Sequence, residues 1–183
     1  MVDRLGVVLA GGRSSRFGSD KFLHVVNAME MGLRAIHTLQ PIVDRVVVAG
    51  RRELPSSWDA EPIYGQREGS GPLGAIIDSA EEVDSHLLVI VPCDMPNLTS
   101  SSVSKLIDAM TAPDLVAAFA HSSTLEEPQW LTACWRTDAV RERVAARYAE
   151  GVRSVREVAR GVNHVLVDLP PEDLINLNSV VTS

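Results

Sequence analysis

Between Ala10 and Lys21 the chain crowds hydrogen-bond donors into one short stretch: Arg13, Ser14, Ser15, Arg16 and Lys21, interleaved with Gly11, Gly12 and Gly18. Two guanidiniums, two hydroxyls, an ammonium and the N–H groups of a glycine-rich backbone suit an anion that spreads its charge over several oxygens, such as a polyphosphate. Glycines at the turn let the backbone come close to such a ligand. A Gly-Gly pair after a strand is also ordinary chain punctuation. Neither Gly-x4-Gly-Lys-[Ser/Thr] nor Gly-x-Gly-x-x-Gly occurs here, so the stretch is neither a Walker A loop nor a dinucleotide fingerprint.

A second group lies at Pro92-Cys93-Asp94-Met95-Pro96, directly after the apolar run Leu87–Val91. A carboxylate fixed between two prolines at the end of a strand is the hard oxygen ligand that Mg²⁺ takes, alongside phosphate oxygens and water. Asp94 is equally suited to capping the turn before Asn97. Gly71-Pro72-Leu73-Gly74 reads as a helix start, with proline where the first turn tolerates it and free N–H groups available to a ligand. Arg153 and Arg156 stand one helical turn apart and either face one anion or form a solvated face. Cys93 and Cys134 have no metal-ligand spacing and the five histidines share none, so zinc, disulfide and Cys-His chemistry are not indicated.

These residues need a scaffold. Leu5–Leu9, Val46–Ala49, Leu87–Val91, Leu115–Phe119, Trp130–Trp135 and Val162–Val167 read as strands, with Glu61–Tyr64 as a short one. Helices are expected over Val25–Gln40, from Gly71, from Thr99 (as N-cap) to Met110, over Asp138–Tyr148 and over Ser154–Arg160. This alternation predicts an α/β domain around a largely parallel sheet. Ligands sit at the carboxyl ends of such strands, so the glycine loop, Arg51-Arg52, Asp94 and the last residues should meet on one edge. Polar Ser122–Glu127 is the expected mobile loop over it.

At 183 residues, 45% hydrophobic and 22% charged, the chain predicts one soluble globular domain, 1–183. A net charge of −7 argues against a nucleic-acid surface. No apolar run approaches the length of a membrane span and no signal-type segment opens the chain, which predicts a cytoplasmic protein without a membrane partner.

Leu9-Ala10-Gly11-Gly12-x-Ser14-x-Arg16-Phe17-Gly18-x-Asp20-Lys21 resembles the signature of the molybdenum cofactor guanylyltransferase group of MobA-like NTP transferases, with phenylalanine in place of a methionine. Pro92–Pro96 resembles that family's metal-binding turn, Gly71-Pro72-Leu73-Gly74 its helix start against guanine, and Asn176-Leu177-Asn178-Ser179 its N-x-N-T segment. Gly151-x-Arg153-Ser154-x-Arg156 resembles its pterin-side helix start, where Trp130 would flank the pterin.

The resemblance implies a Rossmann-like, three-layer α/β/α nucleotidyltransferase with a mostly parallel mixed sheet. It implies transfer of GMP from GTP to the phosphate of molybdopterin or the molybdenum cofactor, with release of pyrophosphate. It assigns the nucleotide to Leu9, Ala10, Gly11, Gly12, Ser14, Lys21, Gly71, Pro72, Leu73 and Asp94. Catalysis falls to Lys21, Arg16 and Asp94, and Mg²⁺ to Asp94 and Asn178. Proteins that deliver and accept the cofactor are implied as partners. A cytidylyl or other NTP transferase of the same fold, or a non-catalytic nucleotide-binding module, is the alternative. Val48-Ala49-Gly50-Arg51 replaces the family's N-A-N-R, and Tyr64-Gly65-Gln66 stands where an aspartate is usual.

Overall fold

The structure is a computed structural model that describes residues 2–10, 20–67 and 71–177. Alternating apolar residues build its centre. In β1 (Val2–Leu9), Leu5, Val7 and Leu9 face one layer of helices while Val8 faces the other. The same two-sided pattern runs through β4 (Arg45–Ala49) and β6 (Ser85–Pro92), as a strand covered on both faces requires. One face packs against α2 (Gly71–Glu82), the helical run α4 (Thr137–Ala139), a π-turn Val140–Val144 and α5 (Ala145–Ala149), and α6 (Val155–Arg160). The other packs against α1 (Met31–Leu39) and α3 (Ser100–Asp108). Three layers result, as expected.

Seven strands form the sheet in the order β5-β4-β1-β6-β8-β7-β9, with β5 at Glu61–Ile63, β7 at Ala117–His121, β8 at Gln129–Arg136 and β9 at His164–Asp168. Pairings β1–β4, β1–β6, β4–β5 and β7–β9 are parallel; β8 runs antiparallel to both β6 and β7. The sheet is therefore mixed and mostly parallel. Because β8 is reversed, its first residue, Gln129, lies on the same edge as the last residues of its neighbours.

The helix expected over 25–40 is corrected at its start. Val25–Val26 (β2) and Met29–Glu30 (β3) form a small antiparallel hairpin, and α1 begins only at Met31. Asn27 and Ala28 take φ of 50° and 64°, the consecutive left-handed pair that closes a two-residue hairpin and that a right-handed helix cannot contain. Arg34 Nη2 donates to Val26 O at 2.8 Å and holds the hairpin against α1. Thr99 caps α3 as expected, accepting from Ser102 N. Among the described residues, no helix is long and apolar enough to cross a membrane.

Candidate active site

The carboxyl ends of the parallel strands are level. Leu9 pairs with both Ala49 and Pro92, so β1, β4 and β6 finish in one row. Hydrogen bonds carry the row one residue further: Ala10 N donates to Ala49 O at 3.0 Å, Cys93 N to Leu9 O at 3.3 Å and Gly50 N to Ile63 O at 2.9 Å. Gly50 takes φ of 92°, a conformation glycine adopts freely, and this turns the chain out of β4 towards Arg51. The edge thus holds Ala10, Arg51 and Asp94, as the sheet rule anticipates. Gly11, Gly12, Ser14, Arg16 and Asn178 lie outside the described residues.

Lys21 opens a short 3-10 turn, Lys21–Leu23, whose N-cap is Asp20. Lys21 Nζ donates to Asp94 Oδ2 at 2.9 Å, with the two side chains 17% and 25% exposed. Two residues that the sequence assigned to the chemistry, far apart in the chain, are therefore in direct contact above the central strands. Cys93, beneath them, is no thiolate at neutral pH. Burial, then the neighbouring Asp94 charge, pushes its thiol up to about 12. Burial alone does the same to Cys134.

A described metal cluster is absent: among the described residues no group of three or more His, Cys, Asp or Glu could hold an ion. Asp94 offers one carboxylate at a partly open edge. That donor set does not suit Zn²⁺, which takes three or four protein ligands. It suits Mg²⁺, which binds through one or two carboxylates and fills its octahedron with phosphate oxygens and water.

Residues 171–177 are tied to this edge by hydrogen bonds. Leu177 N donates to Asp94 O at 2.9 Å, and Asn176 Nδ2 to Gln129 Oε1 at 3.3 Å. Asp173 in the 3-10 turn Pro171–Leu174 anchors this segment. Its carboxylate, 8% exposed, accepts from Thr99 Oγ1 at 3.1 Å and Ser102 Oγ at 2.5 Å, at the start of α3. Sequence reading missed Asp173 because its partners are more than seventy positions away. Asp173→Ala should cost about 2 kcal/mol, measured by urea unfolding, since two hydroxyls lose a charged acceptor. It should also slow turnover by about tenfold, measured as initial rate, by loosening 175–177 beside Asp94.

Other expected residues spread out. Leu9 and Leu73 are core residues, 6% and 0% exposed, so only their backbones can face a ligand. Gly71 starts α2 with φ of 75°, exposed, and Pro72 beside it is half-buried. Arg153 and Arg156 do not share a target. Arg153 lies 4.0 Å over the Tyr148 ring, whereas Arg156 pairs with Glu127 at 2.8 Å. Glu127 also takes Arg160 at 3.3 Å and the Trp130 indole N–H at 3.3 Å, which ties Trp130 and α6 to the loop after β7. That loop, expected to be mobile, has an internal turn: Leu125 N donates to Ser122 O at 2.9 Å, and Ser122 is buried. Where the resemblance expects an aspartate after β5, Arg52 stacks 3.8 Å over Tyr64.

Residues 6–165 match the family described as MobA-like NTP transferase domain. The chain belongs to that family. A molybdenum cofactor guanylyltransferase of Burkholderia cenocepacia is 31% identical over 162 residues, covering 82% of this chain and 78% of its own. One from Bordetella pertussis is 32% identical over 123 residues, 64% and 62% of the two chains. Among solved structures, the molybdopterin-guanine dinucleotide biosynthesis protein A of Archaeoglobus fulgidus superposes with a TM-score of 0.79 at 19% identity, over 96% of this chain and 93% of that one. The 2-C-methyl-D-erythritol 4-phosphate cytidylyltransferase of Thermus thermophilus gives 0.71 at 15% identity, over 93% and 91%. At those identities the superpositions establish a shared fold. The MobA-like family thus accounts for the mixed, mostly parallel sheet.

Proposed function

We propose that this MobA-like transferase is a guanylyltransferase that moves GMP from GTP onto the terminal phosphate of molybdopterin, or of its molybdenum-loaded form, in the cytoplasm. The observation that carries the reading is the Lys21–Asp94 contact of 2.9 Å at the carboxyl edge, where a cation and a metal-competent carboxylate meet beside the glycine-rich stretch. Relatives about 30% identical over most of the chain, named as molybdenum cofactor guanylyltransferases, support guanine as the base.

The acceptor phosphate oxygen forms a bond to the α-phosphorus of GTP, and the bond from that phosphorus to the β-phosphate bridging oxygen breaks, releasing pyrophosphate. The attacking group is already an anion, so no side-chain nucleophile or general base is required. The chain's task is to position two anions and to lower their repulsion. Lys21 places an ammonium where triphosphate charge collects. Ala10 and the start of α2 at Gly71 and Pro72 offer backbone surface to the nucleotide, and by sequence match Gly11, Gly12, Ser14 and Arg16 supply the donors beside Lys21. Asp94, with Asn178 by sequence match, would hold Mg²⁺, which when bound supplies positive charge to phosphate oxygens.

Pyrophosphate release from GTP, CTP, ATP and UTP, each with Mg²⁺ and molybdopterin, tests this. Release from GTP alone, dependent on molybdopterin, is expected. A preference for CTP would move the product to a cytosine dinucleotide, and release from none would make the chain a nucleotide-binding module.

A further inference from the structure

Lys21 has a mobile four-carbon stem, so its aim depends on how firmly its backbone is held. The structure shows how that is done. Asp20, immediately before it, divides its two carboxylate oxygens. Oδ1 accepts from Phe22 N at 3.1 Å and so caps the turn that carries Lys21, while Oδ2 is paired with Arg51 Nη2. Arg51 also lies over the Phe22 ring, its guanidinium carbon 4.4 Å from the centroid. Phe22, immediately after Lys21, is 1% exposed, meets the Trp58 ring at a tilt with centroids 5.3 Å apart and fits only because residue 32 is glycine: a Cβ there would be 2.4 Å from the Phe22 ring. One guanidinium therefore grips both residues that flank Lys21, and it does so from the end of β4, the strand next to β1.

We infer that Arg51 is a positioning residue for nucleotidyl transfer: by holding Asp20 and Phe22 it fixes the turn that aims Lys21 at Asp94 and at the triphosphate. This rests on the function proposed above for that site. The pairing is chemically specific. An ammonium in place of the guanidinium would keep a charge near Asp20 but could not lie flat on Phe22 while donating in its own plane. Arg51 sits too close to the edge for a purely structural role to be assumed, and direct contact with the substrate is the rival explanation. The two differ in how Arg51 couples to Lys21. A residue that works through Lys21 contributes nothing once Lys21 is gone, whereas a residue that touches phosphate itself contributes independently.

Only two lysines occur in the chain, Lys21 and Lys105, which makes a direct readout available. With ¹³C-labelled lysine, the order parameter of the Lys21 ε-methylene is compared in the wild-type chain, Arg51→Ala and Asp20→Asn, with Lys105 on α3 as the internal reference. Lys21 should loosen in both variants and Lys105 in neither; an unchanged Lys21 signal overturns the inference. In GTP turnover, Arg51→Ala should lower kcat by up to about 10²-fold, the scale of a misplaced catalytic group. Arg51→Lys should recover part of that loss, and Arg51→Ala should have no further effect in a Lys21→Ala background. Additive losses in the double variant also overturn the inference and make Arg51 a substrate contact. If the wild-type chain transfers no nucleotide, the proposed function fails, and the Lys21 signal still decides the role of Arg51. Should Arg51→Ala not fold, Asp20→Asn carries both measurements.

Discussion

Asp94→Ala is expected to lower pyrophosphate release by about 10³-fold, the upper range for removing one electrostatic group from an active site. Its stability should stay within about 1 kcal/mol of wild type, because the pair with Lys21 is partly open to solvent and pairs of that kind contribute little. Loss of function without loss of fold follows from where Asp94 sits. Its backbone belongs to the frame, since its carbonyl accepts from Leu177 N at 2.9 Å and the preceding Cys93 N extends the β1–β6 ladder. Neither bond needs the side chain. The carboxylate is the only part that faces the edge chemically, and Asp94→Asn isolates it further by keeping shape and removing charge. Its loss should be nearly as deep as that of alanine, since an amide oxygen still accepts from the Lys21 ammonium but carries no charge to offset a divalent cation. Initial rates with GTP and molybdopterin, together with urea unfolding of each variant, check both halves. Near wild-type turnover in Asp94→Asn would remove this residue from the chemistry.

What could be read from the sequence, and what could not, divides along physical lines. Leu5–Leu9 and Leu87–Val91 were legible as buried strands because both faces are covered, so their residues are apolar without interruption. Asp94 was legible because a carboxylate directly after such a run has no core to face. The reversal of β8 was not legible: alternation along Gln129–Arg136 says which residues face which layer and nothing about strand direction. The start of α1 was misread because Ala28 carries no turn signature. Its φ of 64° comes from the hairpin that Val25–Val26 and Met29–Glu30 close, a preference that helical spacing of apolar residues concealed. The polar contacts behind the site were the least legible. Asp20 and Arg51 are 31 positions apart and meet only because β1 and β4 are neighbours in the sheet. Asp173 finds Ser102 across 71 positions, once the chain has crossed the sheet and returned. In each case the topology that brings the partners together was what the sequence did not show.

Lys21→Ala should move two measurements in opposite directions. Turnover of GTP should fall by about 10²-fold, because the ammonium no longer offsets charge on the triphosphate as pyrophosphate departs. Divalent-cation binding to the nucleotide-free chain, read with Mn²⁺ as a probe, should instead tighten. In the free protein Lys21 Nζ lies 2.9 Å from Asp94 Oδ2, so the lysine and a metal ion would compete for one carboxylate. Partly exposed pairs of this kind are worth up to about 1 kcal/mol net, which corresponds to about fivefold in affinity. Removing the ammonium returns that attraction to the metal. On the proposed reading, the same competition lets Lys21 and a metal-holding Asp94 share a contact without conflict. A bound triphosphate would bring enough anionic oxygens to satisfy the ammonium and a divalent cation together, leaving the Asp94 carboxylate able to hold the cation. A Lys21→Ala chain that binds Mn²⁺ more weakly than wild type would show that Asp94 is not where the cation goes. One that binds it more tightly and turns over slowly would place both residues in the roles their contact suggests.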